Sequence, residues 1–191
     1  MQRRGRLVDD GPAGQTGQGG QGGQGQTTAT LTFERLYRHA PEQVWEAIAT
    51  PEGLRGWLMC TRAVIEGRVG GRFDLVSGPP GYQSTGKILV WEPPRVLEYE
   101  WNVEPVPEMP RGEQAIFRYV LTPAAGATHL LVTYRRITRQ TARGFLPGLH
   151  AFLDRLEAQL EGRVPPDWRQ RFGELRAAYP AWSGHAPHPG Q

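Results

Sequence analysis

Between residues 61 and 136 the chain reads as a succession of short segments with period-two patterning, cut by clusters of Gly and Pro. Strands are expected over 61–66, 71–77, 83–91, 95–102, 114–122 and 128–136. Gly70-Gly71, the run from Gly78 to Gly81, Pro93-Pro94 and the run from Pro123 to Gly126 supply turn signals between them. Strands joined by turns rather than helices build an antiparallel meander. Leu97, Tyr99 and Trp101 alternate with Glu98, Glu100 and Asn102; Phe117, Tyr119 and Leu121 lie on one side of the next strand, and Leu130, Val132 and Tyr134 on one side of the last. One sheet face is therefore apolar, while Glu98 and Glu100 are expected to meet water. The apolar face needs a cover, and residues 143–161 provide one. Leu149, Phe152, Leu153, Leu156 and Leu160 recur at three- and four-residue steps, in a helix expected to be regular from about Pro147 and to end at Gly162.

Residues 30–38 read as an opening strand carrying Leu31, Phe33, Arg35 and Tyr37 on one side. Two short helices follow, each begun by a proline: Pro41 with the apolar face Val44, Trp45 and Ile48, and Pro51 with Leu54, Trp57 and Leu58. Downstream, Asp167 is placed to cap a last helix bearing Trp168, Phe172, Leu175 and Tyr179 along one side. Because residues 87–91 are apolar on both sides, part of the second face or edge of their strand needs a cover, and that helix is expected to fold back over the body to supply it, with docking onto a second subunit as the alternative. Residues 11–26 (GPAGQTGQGGQGGQGQ) hold almost nothing apolar, and such a segment cannot offset its ordering entropy by burial. The expected organisation is a disordered tail over 1–28, a domain over 29–162, an amphipathic helical extension over 163–182 and a flexible end over 183–191. The class is α+β.

Charge excludes more than it suggests. The net charge is +3, but residues 29–161 balance 14 Arg and one Lys against 15 acidic residues. A nucleic-acid footprint is a clustered basic face, so no nucleic-acid partner is expected. One cysteine, Cys60, rules out an intrachain disulfide and reads as a small buried hydrophobe. No Cys/His spacing fits zinc, and His185 and His188 sit in a Pro-rich end, so neither metal nor cofactor is implied. No apolar run is long enough to span a membrane, and no secretory signal follows the basic N-terminus, which makes a cytoplasmic location the expectation.

The order β–α–α–β6–α is that of the helix-grip (START-like) fold, in which a curved antiparallel sheet wraps around a long C-terminal helix. Three strings carry a closer resemblance. APEQVWEAIATPEGLRGWL (40–58), GKILVWEPPRVLEYEW (86–101) and LHAFLDRLEAQLEG (149–162) resemble successive motifs of the SRPBCC superfamily, in its branch related to the activator of heat-shock protein 90 ATPase. In the third, Leu149 stands where the family usually has Trp. The resemblance implies the helix-grip fold over about residues 30–161, and it leaves function open because the fold hosts binders, cyclases and co-chaperone modules.

A sheet gripping one helix can leave a cavity. Trp57, Phe73, Tyr99, Trp101, Phe117, Tyr119, Leu149, His150 and Leu153 are the candidate wall, and the same residues would serve equally as an ordinary core. His150 is a candidate for ligand contact or acid–base work, with a backbone-bonded helix-flank histidine as the plainer reading. Arg135, Arg136, Arg139 and Arg143 crowd the entrance to the long helix; Arg135, Arg139 and Arg143 are placed at the cavity mouth, where they would hold a carboxylate or phosphate, or else form a solvated cluster. The reading that follows is a binding module enclosing a small apolar or amphipathic, hydrophobic molecule. The alternative is a protein-interaction module that modulates a heat-shock protein 90-type ATPase or another stress-response or chaperone partner. A cyclase-like enzyme using cavity Tyr or His groups stands third, and no catalytic residue is assigned.

Overall fold

The computed structural model describes residues 4–10, 27–79, 81–107 and 109–179. Among them the chain runs β1 (Arg6–Asp9), β2 (Thr28–Tyr37), α1 (Pro41–Ala49), α2 (Pro51–Trp57), β3 (Arg62–Ile65), β4 (Phe73–Ser77), β5 (Tyr82–Thr85), β6 (Ile88–Glu92), β7 (Val96–Val103), β8 (Glu113–Ala124), β9 (Ala127–Thr138), α3 (Arg139–Leu160) and α4 (Trp168–Ala178). The strands form one antiparallel sheet in the order β1-β2-β9-β8-β7-β5-β4-β3, with β6 also on β7. β2 thus joins the far end of the meander, and α3 packs on the inner face. This is the helix-grip arrangement. Leu31, Phe33, Leu97, Leu121, Leu130, Val132 and Tyr134 from the sheet, with Leu153 and Leu156 from α3, form the buried core.

The single expected strand 83–91 is two strands, parted at Gly86-Lys87, with a bulge shifting the β6–β7 register between Ile88 and Val90. The long helix begins at Arg139, not at 143–147, and runs through Pro147. The missing N–H of Pro147 removes one internal hydrogen bond. The helix starts early because Thr138, directly at the end of β9, caps it from its hydroxyl. Its end is as expected. Gly162 is left-handed (φ 66°), and the Arg163 and Gly162 N–H groups return to the Ala158 and Gln159 carbonyls, a pairing that satisfies the last turn.

The expected tail over 1–28 is corrected for its described parts. Arg6–Asp9 is a strand paired with β2, from Arg6 opposite Thr32 to Asp9 opposite Ala29. Leu7 packs against the core, and the Asp10 carboxylate accepts the Thr28 and Thr30 hydroxyls at 2.8 and 2.7 Å. Four alternating residues suffice for an edge strand once a partner edge is present, which low apolar content averaged over the tail conceals. Gly5 lies flat on the Phe33 ring, where an added Cβ would come within 2.2 Å of it. Residues 11–26 and the expected flexible end, 183–191, lie outside the described residues.

Two further expectations change in part. α4, capped by Asp167 through the Gln170 N–H at 2.8 Å, folds back on the body, but it packs on α3 and not over β6. Trp91 of β6 lies opposite Leu97 and so faces inward, where Trp45 of α1 stands edge-on to it at 5.1 Å. Glu98 does not face open water: Arg118 and Arg135 close over it at 2.7 and 2.8 Å and leave it buried.

Candidate functional site

Period-two alternation turns Tyr99, Trp101, Phe117 and Tyr119 inward from β7 and β8. The steps of α3 that face them carry Gln140, Thr141, Gly144, Phe145, Gly148, Leu149 and Phe152. Between sheet and helix lies a cavity of about 350 Å³, at the small end of the range for small-molecule sites. Trp57 and Leu58 from the end of α2, Leu75 from β4, residues 77–79 and Tyr82, Met109, and Trp168 and Phe172 of α4 complete its wall. Gln140 and Gly144 are the exposed members of the lining and mark its mouth.

The space has a local cause on α3. Gly144 and Gly148, four residues apart, present no side chain to the cavity, and a Cβ added at Gly144 would meet nothing within 4 Å. Two glycines and Pro147 within five helical residues are unfavourable for helix formation by several kcal/mol, on a scale of about 1 per Gly and about 3 per Pro. At Gly144 packing does not demand the glycine; room does. Rings fix the remaining walls. Trp101 stands edge-on to Phe145 at 5.3 Å, and Trp168 stacks on Phe172 at 4.9 Å and leans on Phe152 at 5.3 Å. Arg155 secures the α4 side by donating to the Trp57 and Gly56 carbonyls at 3.0 and 2.7 Å and to the Pro166 carbonyl.

Of the nine wall residues read from the sequence, Trp57, Tyr99, Trp101, Phe117, Tyr119 and Leu149 are brought together around the cavity. Phe73 stands one layer back, stacked on Tyr99 at 3.8 Å. Leu153 is core. His150 sits about 100° round the helix from Leu149, on the side away from the cavity. There its Nδ1 lies 2.8 Å from the Tyr179 hydroxyl and its Nε2 3.5 Å from Asp154, which also binds Arg171 at 2.8 Å.

The arginines expected at the mouth are elsewhere. Arg135 follows inward Tyr134, so it points outward to Glu98; Arg139 pairs with Asp9 at 3.0 Å; Arg143 and Arg136 are exposed and outside the lining. Residues missed in sequence are Tyr82, Met109, Gly144, Phe145, Gly148, Phe152, Trp168 and Phe172. The Trp168–Phe172 stripe was visible as an apolar face, and its partner was misjudged.

The chemistry of the lining is narrow. Among the described residues it contains no carboxylate, imidazole, amine or guanidinium. Burial holds the Tyr99 phenol well above its ordinary pKa, and it also raises Tyr119, partly offset by the Tyr99 hydroxyl. Nearby Cys60 is buried, and desolvation pushes its thiol up to about 12, which leaves it protonated and unreactive at neutral pH. The wall offers hydrogen bonds and aromatic surface, not a general base. No group of three or more His, Cys, Asp or Glu among the described residues is placed to hold a metal ion, and no helix there is long and apolar enough to cross a membrane.

Comparison with known proteins follows the architecture. No curated protein sequence matches the chain. A crystal structure from Mesorhizobium loti is similar at 30% identity over 70% of this chain and 96% of that one, with a TM-score of 0.59. CalU16 from Micromonospora echinospora is similar in fold, at 21% identity over 92% of this chain and 94% of that one, TM-score 0.63. A Bordetella parapertussis protein shares the fold at 23% identity over 84% and 88%, TM-score 0.61. Residues 38–161 match the family model of activator of Hsp90 ATPase homolog 1-like proteins, which leaves β1, β2 and α4 outside the match. By that match, which spans more than half of its length, the chain belongs to the activator of Hsp90 ATPase homolog 1-like family within the SRPBCC superfamily.

Proposed function

We propose that this domain is a binding module that encloses a small, largely apolar molecule between its sheet and α3. The observation that carries the reading is the cavity of about 350 Å³, open at Gln140 and Gly144 and walled by aromatic rings. Enclosure removes apolar ligand surface from water, at about 25 cal/mol per Å², while the tyrosine hydroxyls orient it. The absence of a general base among the described lining residues favours binding over turnover. The partner-protein reading, modulation of a heat-shock protein 90-type ATPase, rests on the family description alone.

Gly144→Trp tests enclosure, because the backbone there accepts a side chain without collision. The variant should keep its melting temperature and lose affinity for the neutral dye N-phenyl-1-naphthylamine by about tenfold or more, as expected when about 1.4 kcal/mol of enclosure is blocked. Dye affinity equal to that of the parent would refute the reading.

A further inference from the structure

The cavity lining discriminates by charge. Among the described residues its polar side-chain atoms all belong to neutral groups: the Tyr82, Tyr99 and Tyr119 hydroxyls, Ser77, Thr141, Gln140 and the indole N–H groups of Trp57, Trp101 and Trp168. Trp168 Nε1, on the α4 wall, is buried and has no hydrogen-bond partner. A donor in an apolar enclosure is costly to leave unpaired, so an occupant bringing an acceptor oxygen is favoured over one without.

An anion has no seat. The natural one would be the first turn of α3, where helix N–H groups attract negative charge and where Gln140 and Thr141 reach the cavity. The chain already fills that seat with its own carboxylate. Glu113, buried at 3% exposure, accepts the Thr138 N–H and the Thr138 hydroxyl, each at 2.9 Å. A second carboxylate entering nearby would be repelled by Glu113. The cations that could compensate are spent outside the cavity, Arg135 on Glu98 and Arg139 on Asp9.

A cationic ligand fares little better. Glu113 is committed to Thr138, and the aromatic rings alone would have to replace the water lost by the cation.

We propose that the cavity selects an uncharged ligand, apolar in its body and presenting a carbonyl or ether oxygen to the Trp168 indole N–H. This rests on the enclosure reading above. It extends that reading from size and greasiness to charge and to one named donor, and it removes the carboxylate- or phosphate-bearing ligands that an arginine-lined mouth would take.

The test uses the full chain at neutral pH and four probes built on one ring system, each displacing N-phenyl-1-naphthylamine: 2-acetonaphthone, 2-naphthoate, (2-naphthylmethyl)trimethylammonium and 2-methylnaphthalene. The ketone should bind more tightly than either ion by about tenfold or more, the scale of one uncompensated buried charge. Trp168→Phe, checked for an unchanged fold by circular dichroism, should weaken the ketone by about three- to tenfold more than it weakens 2-methylnaphthalene. An ion that binds as tightly as the ketone would overturn the charge selection. A Trp168→Phe loss shared equally by ketone and hydrocarbon would overturn the assigned donor. Binding by none of the four would instead overturn enclosure itself, and the charge selection with it.

Discussion

Gly5 donates its backbone N–H to the Tyr179 hydroxyl at 2.9 Å, across 174 positions of sequence. The same hydroxyl lies 2.8 Å from His150 Nδ1 on α3. The first strand, the long helix and the end of α4 are thereby joined at one point, and each of these joined segments becomes testable.

Removal of residues 1–10 should lower stability by about 1–3 kcal/mol, from the lost packing of Leu7 and the lost pairing along β2. Thermal melts measure it. An unchanged midpoint would mean that β1 contributes no net stability at the sheet edge.

Truncation after Gly162 should do more. It removes Trp168 and Phe172, both partly buried on α3 and both in the cavity wall. The expected cost is about 2–4 kcal/mol, together with loss of dye binding and, by light scattering, self-association through the uncovered patch. A truncated monomer that melts and binds like the parent would show α4 to be an appendage.

Gly144→Ala should stabilise the protein by about 0.5–1 kcal/mol, since the new methyl meets nothing and alanine is the better helix former. Dye affinity should hardly move, because one methyl takes little of the cavity. Urea unfolding checks the sign; destabilisation would mean that Gly144 serves the backbone and not the space.

Alkaline pH should act through the buried phenols. Burial holds Tyr99 and Tyr134 well above the ordinary value of 10.0, and Tyr119 is raised for the same reason. Below pH 10 these groups are protonated whether the chain is folded or unfolded, so their contribution is constant. Above it the unfolded chain sheds protons first, and stability should fall as pH rises toward the folded values. Phenolate absorbance from these three should appear together with the loss of near-ultraviolet dichroism; earlier ionisation in the folded protein would show that water reaches them.

Periodicity carried most of the fold. Six of the expected segments coincide with strands, and Leu97, Tyr99 and Trp101 point where their alternation says. The candidate wall was legible to the same extent, because inward strand positions follow from period two. The misplaced residues have separate causes. His150 was grouped with Leu149 as its neighbour in sequence, about 100° round the helix, whereas Leu153 shares the stripe of Leu149 but is spent on the core, and the cavity takes Phe145 and Phe152. Arg135 and Arg139 could be located only once Glu98 and Asp9 were seen beside them, and no local pattern announces a partner across the sheet. The glycines at 144 and 148 read as helix weakness in one dimension and as volume in three.

The pairing of β2 with β9 sets a schedule for synthesis. β2 emerges early and finds its neighbour only after Thr138 has been made, so its hydrogen bonds wait while the meander assembles beside it. Gly5 waits longer still, for Tyr179. The ring pair on α4 is the last part of the described wall to be translated, which makes the cavity a vessel that stays open until α4 has arrived.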